Sequence, residues 1–171
     1  SRGLGDVYKR QLLPNDDDLT YCLIELDAGS LQFLLDNIDK FADPMARTLC
    51  WSTAWEMTRA GTMRARDFIQ LVARGMQAET ELAVLERIVL QASSALKNYA
   101  DPRWAAQSTL LADALLDGAH SSDAQRSIIC TQALAKICLH DSARDYLRGV
   151  LESSEDAGLR LSLIHISEPT R

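Results

Sequence analysis

The sequence has few residues of the kinds that carry catalytic chemistry. It contains three histidines and four cysteines in 171 residues, and no HExxH pattern that would present two imidazoles to a zinc ion. No serine lies in a nucleophile-elbow or SxxK pattern, and no glycine-rich loop could cradle a phosphate. His120, in a turn, and His140, at a predicted helix end, are interpreted as structural or exposed. We therefore assign no catalytic, cofactor-binding or metal-binding residue.

Basic residues and long apolar runs are also scarce. The chain has 18 Lys and Arg against 24 Asp and Glu, a formal net charge of −6. Binding to nucleic acid or to anionic lipid needs clustered Lys and Arg, and no basic run occurs. The apolar stretches are far shorter than the roughly 20 residues of a membrane span. We expect neither nucleic acid nor a membrane as a partner.

The cysteines show no CxxC pair and no metal-ligand spacing. They are Cys22, Cys50, Cys130 and Cys138. The last two lie eight residues apart in a helical pattern, which separates their backbones by about 12 Å at roughly 1.5 Å per residue. That distance is too long for a disulfide. Reduced, buried thiols favour a cytoplasmic protein.

The two ends of the chain read as one stretch of DNA translated from opposite strands. Ser1–Gln11, SRGLGDVYKRQ, can be back-translated to a string whose reverse complement encodes LSLIHISEPTR, the sequence of Leu161–Arg171. The string looks like a transposase adapter used in sequencing libraries. We interpret residues 1–11 and 161–171 as adapter-derived and exclude them from the fold prediction. Residues 12–160 remain, and we expect them to be an internal piece of a longer gene.

Residues 12–27 form the one segment with a strand-like composition. Thr20 to Leu26, TYCLIEL, is rich in residues that favour strands, and turn residues precede it. A strand without partners exposes unpaired backbone groups and stabilises little, so we predict that it is left from a sheet encoded upstream. The aspartates Asp16 to Asp18 lack the glycine and distal glutamate of a calcium loop and are interpreted as a solvated turn.

From residue 28 to 160 the apolar residues recur at helical spacing. The pattern predicts about seven helices joined by short turns, beginning near residues 30, 44, 64, 80, 102, 122 and 142. Gly61 and Gly75 end the second and third helices, and Thr80 caps the fourth. Asp101–Pro102 starts a helix that continues to Gly118.

These helices suggest a repeat. The predicted helix pairs recur every 34 to 40 residues or so, between the tetratricopeptide and the HEAT or armadillo periods. The tetratricopeptide consensus is absent. We therefore predict a mainly α fold, a HEAT- or armadillo-like stack of antiparallel helix pairs that bury one another's apolar faces.

The aromatic residues are predicted mostly to lie in the core. Trp51 and Trp55 are one helical turn apart, and Tyr99 and Trp104 follow in later helices. Large aromatic residues at helical spacing are usually buried, although some could line a groove and contact a peptide.

Several short segments resemble the C-terminal region of the M1 zinc aminopeptidases of the actinobacterial aminopeptidase N type. They are NDDDLTY at 15–21 continuing through Asp27, Ser30–Leu31, ARTLCW at 46–51, AWEMTR at 54–59, RDF at 66–68 and YADP at 99–102. Their order agrees with one strand followed by helices, and the resemblance covers essentially all of residues 12–160.

The resemblance implies the end of a β-sandwich domain at 12–27 and a truncated C-terminal helical domain at 28–160. Members of the family hold zinc in HExxH and a downstream glutamate, and they cleave the N-terminal residue from peptides. A GAMEN-like motif reads the free amine. Neither motif occurs here, so zinc is expected in the full-length enzyme and not in this chain.

The role implied for this domain is to cover the active site and to restrict substrate access. The implied partners are peptide substrates and the catalytic and β-sandwich domains of the same chain. A free-standing helical-repeat scaffold for protein–protein interaction is the alternative, and a different hydrolase with a similar helical lid is a third possibility.

Overall fold

The described part of the chain is built from α-helices. A computed structural model describes residues 24–137 and 141–153. Two 3-10 turns, Ile38–Lys40 and Met76–Ala78, accompany the helices. The helices are α1 Ala28–Asn37, α2 Pro44–Ala60, α3 Ala65–Gly75, α4 Leu82–Asn98, α5 Pro102–Gln107, α6 Leu110–Ala119, α7 Ala124–Ile137 and α8 Asp141–Ser153. Within these ranges no helix combines the length and the apolar character that crossing a membrane requires.

The mainly helical prediction is confirmed, whereas the preceding strand is not. The predicted strand at 20–26 lies outside the described residues except for its last three positions. Those three, Ile24 to Leu26, belong to neither a helix nor a strand. The end segments interpreted as adapter-derived, 1–11 and 161–171, and the rest of the expected β-sandwich end likewise lie outside the described residues.

One predicted helix is wrong, because the helix expected from Pro102 to Gly118 is two helices. The backbone of Ser108 is extended, with φ −83° and ψ 119°, and separates α5 from α6. The Ser108 N–H still bonds to the Trp104 carbonyl, while the Thr109 carbonyl accepts the first bond of α6. Serine and threonine are weak helix formers, so two in succession make a break inexpensive. The described part therefore has eight α-helices where about seven were predicted.

Two helix ends are set by capping residues that can be recognised in the sequence. The Asp101 carboxylate accepts hydrogen bonds from the Arg103 and Trp104 N–H groups, and Pro102 takes the first helical position. This confirms the predicted start. Gly61 ends α2 with φ 79°, a left-handed conformation that glycine adopts at little steric cost.

Helix α3 lies at the centre of the core. It packs against α1, α2, α4 and α6, and α7 packs against both α4 and α6. Four of its side chains are completely buried, Phe68, Ile69, Leu71 and Val72. The HEAT- or armadillo-like arrangement stays a prediction, because these contacts establish helices packed around α3 and not a repeat.

Gly75 is needed for close packing. It is the last residue of α3, as predicted, but its φ of −91° is right-handed. A Cβ atom at this position would lie 2.6 Å from Cη2 of Trp51 and 2.7 Å from Cγ2 of Ile38. Trp51 and Ile38 are fully buried. The missing side chain therefore lets α3 approach the buried tryptophan.

We expect Gly75→Ala to lower the free energy of unfolding by about 1–3 kcal/mol, because an extra methyl group forced into a packed core displaces its neighbours. Gly149→Ala is the matched control, since nothing lies within 4 Å of its added Cβ and alanine favours a helix by about 0.5–1 kcal/mol over glycine. Urea denaturation measures both. Equal stability of the two variants would contradict the packing argument.

Candidate functional site

A large groove lies between the turn that joins α2 to α3 and the short helix α5. Its volume is about 790 Å³. We call it the arginine groove and define it by the six lining residues that carry charge or an aromatic ring. They are Arg64, Arg66, Tyr99, Asp101, Arg103 and Trp104.

The first wall of the groove is set by the turn after α2. The left-handed Gly61 reverses the chain, and Arg64 then precedes the first residue of α3. Asp67, in the first turn of α3, pairs with two guanidinium groups: its Oδ2 lies 2.7 Å from Nε of Arg64 and its Oδ1 lies 3.7 Å from Nε of Arg66. This carboxylate thus holds two arginines at one edge of the groove.

The second wall comes from α5 and the residue pair before it. The capping of α5 by Asp101 places Arg103 and Trp104 in the first turn of the helix. Tyr99 packs edge-on against Trp55, with 6.0 Å between ring centroids, and Trp55 in turn contacts Phe68 at 5.4 Å. A continuous series of aromatic rings therefore leads from the buried centre of α3 to the groove.

The aromatic residues divide into two groups. Trp51 is completely buried, which confirms the core prediction, and Trp55 is half-buried against that core. Tyr99 is 47% exposed and lines the groove together with half-buried Trp104. For Tyr99 the core prediction is wrong, because its ring packs on the outer face of Trp55 at the end of α4.

A second groove, of about 700 Å³, lies between α4, α5 and the end of α7. Its lining is largely apolar, with the charged side chains of Lys97 and Lys136. Leu90 contributes an exposed apolar side chain. This groove offers a surface, but few charged groups to orient a ligand.

A buried ion pair between α2 and the start of α4 holds the helices together. Glu79 is 1% exposed and accepts hydrogen bonds from Nε and Nη2 of Arg47 at 3.3 and 3.2 Å. Nε1 of Trp51 donates to the same carboxylate at 3.0 Å. The backbone N–H groups of Thr80 and Glu81 donate to Oε1 at 3.0 and 3.1 Å. The carboxylate therefore has a partner for each of its oxygens.

The predicted cap of α4 is wrong. Thr80 does not cap this helix: its hydroxyl oxygen lies 3.4 Å from Nη2 of Arg47, and the residue before α4 is Glu81, which makes no side-chain cap. The Glu79 carboxylate instead accepts from the N–H groups of Thr80 and Glu81, the two residues that precede the helix.

Two arginines extend this network to neighbouring elements. Arg47 donates through Nη1 to the Phe41 carbonyl at 2.6 Å. Arg126, on α7, donates to the Met76 carbonyl at 2.9 Å and also to the Glu79 carbonyl. The bonds connect α2, the turn before α4 and α7, which are distant in sequence.

The surroundings of Glu79 keep it ionised. Burial by itself raises the pKa of the Glu79 carboxyl group, because removal from water disfavours the charge. The hydrogen bonds from Arg47, the Glu81 N–H and Trp51, with the positive charge of Arg47, outweigh burial, and the pKa lies below its ordinary value.

We expect Glu79→Gln to lower the free energy of unfolding at pH 7 by about 3–5 kcal/mol, because it leaves the Arg47 charge buried without its partner. The pKa of Glu79 is lower in the folded protein than in the unfolded chain, where it is about 4.3. The wild-type ion pair therefore contributes its full stabilisation above about pH 4.3. This contribution is lost as the pH falls from there through the folded-state pKa.

Urea denaturation between pH 7 and pH 3 measures both effects. The exposed Glu86 on α4 provides the control variant Glu86→Gln. The Glu79 variant should show a smaller loss of stability on acidification than either the wild type or the control. Parallel pH profiles for all three proteins would refute the assignment of this acid sensitivity to Glu79.

The remaining polar residues singled out in the sequence do not converge. His120 is exposed, its Nδ1 lies 2.7 Å from the Leu116 carbonyl, and its ring packs on Tyr146 at 4.8 Å between centroids. His140 and the aspartates at 16–18 lie outside the described residues. In the ranges 24–137 and 141–153, no three His, Cys, Asp or Glu side chains are grouped to hold a metal ion.

The described cysteines are buried thiols. Cys50 and Cys130 are both buried and form no disulfide. Burial raises the pKa of the Cys130 thiol to about 11, although the positive charge of Arg126 acts to lower it. A thiol with that pKa is almost entirely protonated at neutral pH, which makes it a poor nucleophile. Cys22 and Cys138 lie outside the described residues.

The arginines and Glu79 are the important residues that the sequence reading did not single out. One signal was available: Arg47 lies four residues before Trp51, so the two share a helix face. A charged residue on the face of a buried tryptophan indicates a buried ion pair. No comparable signal marks Arg103, because its position in the groove depends on how α5 packs.

The comparisons with known proteins agree on one kind of domain. The sequence model of the family described as "ERAP1-like C-terminal domain" matches residues 12–165. Aminopeptidase N of Streptomyces lividans is 37% identical over 99 residues, which cover 58% of this chain and 12% of that protein. The chain therefore corresponds to a small part of the curated relative's length.

Proposed function

From the premise that this chain belongs to the ERAP1-like C-terminal domain family, we propose that it is the non-catalytic helical domain of a zinc-dependent aminopeptidase. The observation that carries this proposal is the family match, which spans nearly the whole chain. The similarity to an aminopeptidase N supports the same assignment. The enzyme would release N-terminal residues from peptides, and this domain would supply no reacting group.

Zinc belongs, in this proposal, to a catalytic domain elsewhere in the longer protein. The donor set of this chain does not fit a zinc site, since no three ligand-type side chains meet within the described residues. Its best-organised carboxylate, Glu79, is buried and occupied by Arg47 and Trp51. No step of the reaction is therefore assigned to residues of this chain.

The proposed role of the domain is to cover the active site and restrict the peptides that reach it. Several helices pack around α3, and the arginine groove on the surface is large enough for several side chains. The HEAT- or armadillo-like stack predicted above would supply the curved wall that such a cover needs. The neighbouring domains would be the catalytic and β-sandwich domains of the same chain.

The proposed setting is the cytoplasm, with peptides as substrates and with no nucleic acid or membrane partner. The buried thiols of Cys50 and Cys130 are consistent with a reducing compartment. The net charge of −6 opposes binding to polyanions.

The proposal predicts a loss of size selection when the domain is removed from the longer enzyme. Deletion of the region equivalent to residues 28–160 should raise the rate on long peptides relative to an aminoacyl reporter, because the cover no longer restricts entry. Hydrolysis of the reporter and bound zinc serve as controls for an intact catalytic domain. An unchanged ratio between long peptides and reporter would count against the covering role.

The isolated chain supplies a second test. Residues 12–160, assayed on an aminoacyl reporter with zinc present, should show no hydrolysis above background, and appreciable activity would refute the non-catalytic assignment. The upstream gene distinguishes the alternative. An HExxH motif before Leu12 supports the peptidase, whereas an open reading frame that starts near Leu12 supports a free-standing scaffold.

A further inference from the structure

We propose that a trough between α4 and α7 is a docking surface for an amphipathic helix of a partner protein, a helix with acidic residues at one end. The trough consists of the second groove described above and a smaller groove that continues it along the same two helices. The two grooves share the lining residues Leu90, Ser93 and Lys136. This inference goes beyond the proposed function and does not depend on it.

The trough is a seam between two helices that lie side by side. Its lining residues on α4 extend from Glu86 to Lys97, and those on α7 extend from Ile129 to Ile137. On both helices they recur at intervals of three and four residues, so they occupy one face of each helix. The α4 residues cover about 16 Å at roughly 1.5 Å per residue. A helix of about three turns therefore matches the trough in length.

The trough combines a buried apolar floor with an exposed apolar side chain. Val89 and Ala133 are buried and line the smaller groove. Leu90, which lines both grooves, is 57% exposed, more than any other large hydrophobic side chain in the described part of the protein. Covering an exposed leucine and the small residues around it removes apolar surface from water. The trough therefore gains stability from an apolar partner.

The lining favours a helical partner over an extended one. Apart from Ala100, the lining residues belong to α4, α5 and α7. Helical residues use their backbone groups within the helix, so the walls offer no row of free donors and acceptors to an extended strand. The serines also bond within α4: Oγ of Ser93 donates to the Val89 carbonyl at 2.8 Å, and Oγ of Ser94 accepts from Asn98 at 3.2 Å. A helix satisfies its own backbone and needs only an apolar face.

The trough has few charges, and their positions give it a direction. Lys97 lines only the larger groove, Glu86 lines only the smaller one, and Lys136 lines both. All three side chains are exposed, and within the described ranges none of them forms an ion pair. No carboxylate lines the larger groove. The lysine end therefore attracts acidic residues of a partner, on a chain whose net charge of −6 repels them elsewhere.

The test uses the complete chain and a designed peptide of about twelve residues, which matches the trough in length at roughly 1.5 Å per residue. Its leucines lie on one helix face, two glutamates occupy its first turn, and a side-chain lactam bridge on the opposite face keeps it helical. Fluorescence anisotropy measures its binding. We expect saturable binding that is about tenfold weaker for an isomer whose leucines are distributed around the helix. Equal binding of the isomer, or no saturable binding up to about 1 mM, would overturn the proposal.

Substitutions of exposed apolar residues locate the surface. Leu90→Gln should weaken binding of the peptide about tenfold, because it removes the apolar side chain that the partner helix covers. Met45→Gln is the matched control: Met45 is 54% exposed, lies on α2 outside the trough, and should be replaceable without loss of affinity. Since both side chains are exposed, both variants should keep the wild-type circular dichroism spectrum. Wild-type affinity in Leu90→Gln would contradict this location.

The role of the lysines is tested through the glutamates of the peptide. Replacing both glutamates by glutamine should weaken binding about fivefold at low ionic strength. Salt at about 1 M should remove this difference, because it shortens the Debye length to roughly 3 Å. The double variant Lys97→Gln, Lys136→Gln should remove it too, whereas Lys40→Gln, an exposed lysine outside the trough, should keep it. A preference for glutamate that survives in the double variant would refute the assigned direction.

Sedimentation of the chain without peptide separates a partner protein from a second copy of this chain. We expect the wild type and Leu90→Gln to sediment alike at the concentrations used for peptide binding. A wild-type dimer that Leu90→Gln dissociates would assign the trough to self-association and overturn the partner assignment. None of these measurements depends on hydrolysis. Their failure therefore leaves the aminopeptidase proposal standing, because that proposal is tested by activity.

Discussion

The arrangement of the helices depends on one buried carboxylate. Glu79 sits almost entirely out of water, where an unpaired charge would cost several kcal/mol, and it is stable there because Arg47, Trp51 and two backbone N–H groups all donate to it. These donors come from α2 and from the two residues that precede α4. Breaking the pair would leave Arg47 buried and charged, so the two elements must stay in register.

The position of Trp51 transmits this constraint to the rest of the core. Its indole nitrogen is fixed by Glu79, and its ring leaves no room for a side chain at residue 75. Helix α3 therefore packs closely at its end and places its first turn, with Arg66 and Asp67, at the surface. The arginine groove thus lies at one end of a helix that has four completely buried side chains.

The chemistry of the described part fits a supporting domain. Its interior is apolar apart from the Glu79 network and the buried threonines Thr53, Thr58 and Thr131. Burial keeps the thiol of Cys130 protonated. The groups able to contact a ligand lie at the surface, in the two grooves that border α5. In the proposed function, such a domain restricts the entry of peptides while another domain of the same protein carries out the reaction.

The sequence by itself determined the helical class and several helix ends, because these depend on neighbours along the chain. Asp101–Pro102 and Gly61 act within one turn of their own positions, and both were predicted correctly. The resemblance to zinc aminopeptidases also rested on local segments, one of which contains Arg47. The expectation that this chain carries no catalytic motif likewise rested on local patterns.

Only the tertiary structure decided which side chains meet. The partner of Arg47 lies 32 residues away, and periodicity says which face of a helix is apolar but not which residue of another helix it contacts. The same limit explains why Trp51 and Trp55 differ in burial. The groove depends on how α5 packs against α4 and the turn before α3. These elements are far apart in the sequence, so their packing depends on the shapes of the complete helix surfaces and not on local sequence patterns.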